Sequence, residues 1–165
     1  MDNTQSKSKS PSKLIGRIIL ILTLIILILF LILSSYIGGQ DKAMEKYFSS
    51  VCAGDLKSNA KAIGMDYDPN DAEKAEYKAA ARAYFSEKDE FADLSETDII
   101  SYNVNITDRT VISPTVWVCT ADVSFYSGEM SLVMKNVEAA LIYDGGWKCE
   151  DILLLNNLQS PSEVD

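Results

Sequence analysis

"DIISYNVNIT", residues 98–107, is where the apolar residues change period. Ile100, Tyr102, Val104 and Ile106 alternate with Ser101, Asn103, Asn105 and Thr107. Alternation of this kind puts one apolar and one polar face on an extended strand. Upstream of Leu94 the apolar residues recur at helical spacing instead. The chain is therefore read as helices first and strands second, the pattern of an α+β fold with its helices on one face of an antiparallel sheet.

Downstream, the alternation continues. "TVWVCTADVSFYS" (115–127) sets Trp117, Cys119, Ala121, Val123 and Phe125 on one face, with Thr120, Asp122 and Ser124 on the other. Ser127-Gly128 can turn the chain, and "MSLVMKNVEAALIYD" (130–144) is a third strand, long and bent. Asp144-Gly145 is a hairpin signal. It leads into "WKCEDILLL" (147–155), whose alternation puts Trp147, Cys149 and Asp151 on one face and Lys148, Glu150 and Ile152 on the other. Four consecutive strands predict a meander.

Upstream, "DKAMEKYFSSVCAGD" (41–55) places Met44, Phe48, Val51 and Cys52 on one helical stripe. Asp41 is expected to cap its start and Gly54 to stop it. "DLKSNAKAIG" (55–64) predicts a short helix between Asp55 and Gly64. In "DPNDAEKAEYKAAARAYFSEKDEF" (68–91), Asp68 is the expected cap and Pro69 the first-turn residue. Tyr77, Ala80, Ala81, Tyr84 and Phe85 form the apolar stripe, the alanines allowing close approach to a sheet.

Further upstream lies "IILILTLIILILFLILSSYI", residues 18–37, without a charge. At about 1.5 Å per residue it is long enough for a hydrocarbon core of roughly 30 Å. The run exceeds an ordinary signal-peptide core, and "SSYIGG" is a poor cleavage pattern. A lipid-modified chain needs a cysteine just after the run, and the first is Cys52. The expectation is a signal-anchor, a single-pass transmembrane helix over 14–37. Lys7, Lys9, Lys13 and Arg17 precede it with no basic excess beyond, so the N-terminus is expected in the cytoplasm and the C-terminal domain outside the cell membrane. The remaining parts are a disordered basic tail over 1–13, an extracytoplasmic domain over 40–155, and a polar disordered tail over 156–165. Gly38-Gly39 is an expected bend.

The chain's net charge of −9 divides unevenly. Residues 1–37 carry a net +3 and residues 38–165 a net −12, from eleven basic and twenty-three acidic side chains. A domain this acidic is repelled by nucleic acid, whose binding rests on neutralising phosphates. The span has no Gly-x-x-x-Gly and no ionisable residue after Arg17, so it reads as a passive anchor. The partners expected are the membrane and another protein, with a homo-oligomer left open.

"AMEKYFSSVCAGDLKSNAK" (43–61) resembles the opening helix and helix-turn of cystatin-like folds related to nuclear transport factor 2. "ALIYDGGWKCEDI" (140–152) resembles their closing hairpin. The resemblance, over about residues 40–155, implies a cystatin-like α+β domain. Members with one N-terminal span include scaffold components of conjugation and secretion machines. Enzymatic members, isomerases and dehydratases, place acids, tyrosines or histidines inside a cone-shaped pocket.

Candidates for chemistry are few. The chain has no histidine, which excludes Ser-His-Asp and Cys-His catalysis and histidine zinc sites. Three cysteines face the predicted core. In a meander, Cys119 and Cys149 lie about two strand spacings apart, roughly 9.5 Å, too far for a disulfide. Cys52 with Cys119 or Cys149 is geometrically open, and three buried thiols acting as small apolar residues is the competing reading. Asp66, Asp68 and Asn70 match the start of an EF-hand loop, but Asp71 stands where glycine belongs and Tyr77 where glutamate belongs. A helix cap explains them better. The candidate pocket comprises Tyr102, Trp117, Tyr143, Trp147 and Asp151. Such a pocket is the alternative reading, a small-molecule-binding or isomerase/dehydratase-like domain. The leading expectation is a non-catalytic binding or assembly module with no catalytic residue, no cofactor and no metal. Asn105-Ile106-Thr107 also fits a glycosylation sequon.

Overall fold

The alternation that begins at Ser101 builds four strands. They are β1 (Ser101–Ser113), β2 (Val116–Ser127), β3 (Met130–Tyr143) and β4 (Trp147–Ile152), in one antiparallel sheet ordered β1-β2-β3-β4. The structure is a computed structural model, and it describes residues 11–152. The expectations for residues 1–10 and 153–165 lie outside the described residues. Preceding the sheet are α1 (Pro11–Ala53), α2 (Leu56–Ala62), α3 (Asp71–Ser86) and a 3-10 turn at Asp89–Phe91. The fold is α+β with a meander sheet.

The chain divides into two units, Met1–Gly38 and Gly39–Asp165. In the first, every side chain from Ile15 to Ser34 is exposed. This is the one helix among the described residues long and apolar enough to cross a membrane. Residues 11–13, read as part of a disordered tail, belong to the helix, with Pro11 at its first position, where a missing N–H costs nothing.

In the second unit, two helices cover one face of the sheet. From α1 come Gln40, Ala43, Met44, Tyr47, Phe48 and Val51, all buried at helical spacing. From α3 come Tyr77, Ala81 and Phe85. They converge on Phe125 of β2, whose ring lies 5.9 Å from Phe48 and 5.1 Å from Phe85. The buried strand residues Cys119, Ala121, Val123, Val137, Ala139 and Leu141 complete this core.

Three expectations about caps and bends change. Helical backbone runs through Gly38 and Gly39, so there is no break in α1 and no separate helix beginning near Asp41. Asp41 therefore caps nothing. Asp68 is not the cap of α3 either. Asn70 accepts the N–H groups of Ala72 and Glu73, and the Glu73 carboxylate accepts the Asn70 N–H, closing a capping box. Asp68 instead pairs with Lys57 at 2.6 Å. Gly54 (φ +62°) ends α1, and Asp55 caps α2 as its spacing predicts.

The strands are not strictly alternating. The β1–β2 pairing passes from Ile106↔Ala121 to Asp108↔Thr120, which leaves Thr107 extra, and from Val111↔Trp117 to Ser113↔Val116, which leaves Ile112 extra. The β2–β3 pairing passes from Val123↔Met134 to Ala121↔Val137, with Asn136 at φ 56°. There the Asp122 carboxylate accepts the Asn136 N–H at 3.1 Å. The β3–β4 pairing passes from Leu141↔Cys149 to Ala140↔Asp151, which leaves Glu150 extra. Each extra residue bends its strand and swaps the faces of everything beyond it. The long bent third strand is thus bent at Asn136.

Candidate functional site

The bulge at Thr107 determines which polar group reaches the helix layer. Before it, Tyr102, Val104 and Ile106 pair with Phe125, Val123 and Ala121, on the covered face. Strict alternation would place Asp108 there next. The extra residue puts Arg109 opposite the buried Cys119 instead. Arg109 then donates from Nη2 to Asp41 Oδ1 of α1 at 2.6 Å. The residue before Asp41 on α1, Gln40, is fully buried, and among the described residues neither of its amide atoms has a hydrogen-bond partner.

Around this end of the sheet the structure gathers three of the five expected pocket residues. Trp147 sits 5.7 Å from Trp117 and 5.4 Å from Tyr143, ring centre to ring centre, in edge-to-face arrangements. Edge-to-face pairs of this kind contribute about 0.5–1.5 kcal/mol each beyond the area they bury. Gly39 makes the fit possible. A Cβ at that position would lie 2.6 Å from Trp147 Cδ1. Tyr102 is not part of the cluster, being paired with Phe125 near the other end of β1. Asp151 has its side chain outside the described ones. Its backbone pairs with Ala140, out of step with Cys149 because of the Glu150 bulge. Of the five, Tyr102 and Trp147 line one groove.

Among the described residues no disulfide joins Cys52, Cys119 and Cys149. Cys119 and Cys149 are fully buried, on β2 and β4 with β3 between them. Cys52 is only partly covered, where full burial was expected from its stripe. Burial pushes its thiol up to about 12 and that of Cys119 to about 11. A thiol held protonated in this way is a poor nucleophile at neutral pH. Among the described residues no three His, Cys, Asp or Glu side chains cluster to hold a metal.

Two grooves open on the surface of the second unit. One, of about 1,090 Å³, runs between the end of α1, α3 and the segment leading into β1. Arg82 pins that segment by donating to the carbonyls of Ser95 and Asp98. The other, of about 750 Å³, lies between α1, α2 and the β3–β4 turn. Trp147 and Tyr102 contribute to its lining, together with Lys42, Lys46, Lys61 and Lys148. The lysines were not foreseen. Their signal is present in the sequence, since Lys42, Lys46 and Ser49 stand at i, i+4 and i+7 beside the core stripe.

No protein-family model matches the chain, and no curated protein matches it.

Proposed function

We propose that the chain is a single-pass membrane protein whose C-terminal domain works outside the cytoplasm as a non-catalytic binding or assembly module. The observation that carries this reading is the apolar stretch of residues 18–37, preceded by Lys7, Lys9, Lys13 and Arg17 and followed by a domain of net −12. A helix that exposes only apolar side chains from Ile18 to Leu33, Thr23 excepted, is suited to lipid. Basic residues before it favour retention of that end in the cytoplasm.

The order of helices and then a four-stranded meander supports the cystatin-like resemblance, and with it a role as a subunit of an envelope, secretion or conjugation complex. The surface offered to a protein partner is the outer face of the sheet. Thr120, Asp122 and Ser124 are half-buried there, without the full burial seen on the helix-covered face.

Topology is tested with a reporter fused after Asp165. Activity outside the cytoplasm and a stoichiometric protein recovered by cross-linking from membranes support the proposal. A cytoplasmic reporter, or a mature chain that begins beyond Ser35, overturns it. A ligand-binding role is the second reading, favoured by the 750 Å³ groove.

A further inference from the structure

We propose that the groove between α1, α2 and the β3–β4 turn binds a small organic anion, a phosphate monoester or carboxylate carrying an apolar body. This rests on the groove alone, not on the topology proposed above.

Four of the eleven basic side chains in residues 38–165 line this one groove. Lys42 and Lys46 come from one face of α1, Lys61 from α2 and Lys148 from β4. Three acids share the lining, and two of them are already engaged. The Asp55 carboxylate accepts the Ser58 N–H at 3.1 Å and its hydroxyl at 2.6 Å. Asp144 accepts from Lys148 Nζ at 2.9 Å. That leaves Glu45 facing Lys42, Lys46 and Lys61, none of which forms an ion pair among the described residues. The groove lining therefore carries four ammonium groups against three carboxylates, a small positive balance inside a strongly acidic domain.

Concave walls concentrate such a local field. Charges beyond about 8–10 Å are largely screened at physiological salt. A small anion in the groove feels the lysines, whereas an acidic protein or a nucleic acid would also meet the surrounding negative surface. The volume of about 750 Å³ lies within the range of roughly 300–1,000 Å³ occupied by small-molecule sites. Ala43, Ala62 and Trp147, all buried to nine-tenths or more, supply an apolar floor. Apolar floor and ammonium rim together favour an anion with an apolar body over a bare ion.

The test uses the full chain in a non-ionic detergent, followed by tryptophan fluorescence, since Trp147 lies in the groove. Phenyl phosphate and benzoate are the probes, with phenol and inorganic phosphate as comparisons. A saturable change with either probe, stronger than with inorganic phosphate and weakened by salt, supports the site. The double variant Lys46→Gln/Lys61→Gln is expected to weaken binding about tenfold, a loss of about 1.4 kcal/mol. Lys74→Gln/Lys88→Gln, outside the groove, is expected to leave it unchanged. No saturable response, an equal response to phenol, or undiminished binding by the groove variant overturns the proposal.

Discussion

Asp41 and Arg109, sixty-eight residues apart in the chain, meet at 2.6 Å because a single extra residue in β1 turns Arg109 toward α1. Both side chains keep some contact with water, at 49% and 32% exposure, so the pair is screened. A double-mutant cycle with Asp41→Asn and Arg109→Gln is expected to give a coupling of about 0.5–1 kcal/mol in urea unfolding. The coupling should shrink as salt rises. A value indistinguishable from zero at low salt would show that the contact contributes nothing to stability.

Gly39 and Gly38 provide a matched pair. An alanine methyl at 39 would press on the Trp147 ring at 2.6 Å, while the same methyl at 38 meets nothing within 4 Å. Gly39→Ala is expected to destabilise by about 1–3 kcal/mol, the range for overpacking. Gly38→Ala is expected to be neutral or stabilising by about 0.5–1 kcal/mol, because alanine loses less backbone freedom in a helix. Thermal unfolding separates the two, and equal effects would contradict the close approach.

Gln40 carries an opposite expectation. Its amide is fully buried without a partner among the described residues. Burying an unpaired amide costs about 1–3 kcal/mol. Gln40→Met keeps the length and removes the polar atoms, so it is expected to raise stability by about 1 kcal/mol. A clear loss of stability would mean that the amide is satisfied in solution.

Thiol ionisation gives a pH dependence with a definite sign. Burial raises Cys52 from 9.0 to about 12 in the folded chain. Its proton is therefore held more tightly when folded than when unfolded. The resulting stability is intact below pH 9, then falls as pH rises from about 9 toward 12. Cys52→Ala is expected to flatten that part of the stability profile. Alkylation at pH 8 should be slow in the folded chain and rapid in denaturant, and fast labelling of Cys52 when folded would refute its protection.

Much of the architecture is legible before any coordinates. The switch of period at Ile100, the stops at Gly54 and Gly64 and the turn at Gly145 are local signals, and the chain obeys them. The cap of α3 was legible too, since Asn70 and Glu73 stand three apart, but the Asp68-Pro69 pair offered a competing start. The phase slips at Thr107, Asn136 and Glu150 were not legible. A bulge depends on which residue the neighbouring strand presents, as when Asp122 holds the left-handed Asn136, and no local period encodes that. Hence Trp147 could be placed inside from its sequence, whereas Arg109 could not. The groove lysines escaped notice for a related reason. Lys42 and Lys46 share one helix face, but Lys61 and Lys148 join them only through the tertiary fold.

These phase slips also bear on how this sheet can change over evolutionary time. Each one works as a parity switch: were β1 to pair straight through Thr107 without the bulge, Arg109 would go to the solvent side and Asp108 would come inward beneath the helices. Point replacements in these strands risk only a local misfit, but a one-codon deletion at a paired position would invert an entire run of side chains, whereas loss of the extra residue itself would leave the facing unchanged. Tolerated length variation should therefore fall in the turns at Gly128 and Gly145, where an added or missing residue leaves the parity of both flanking strands intact.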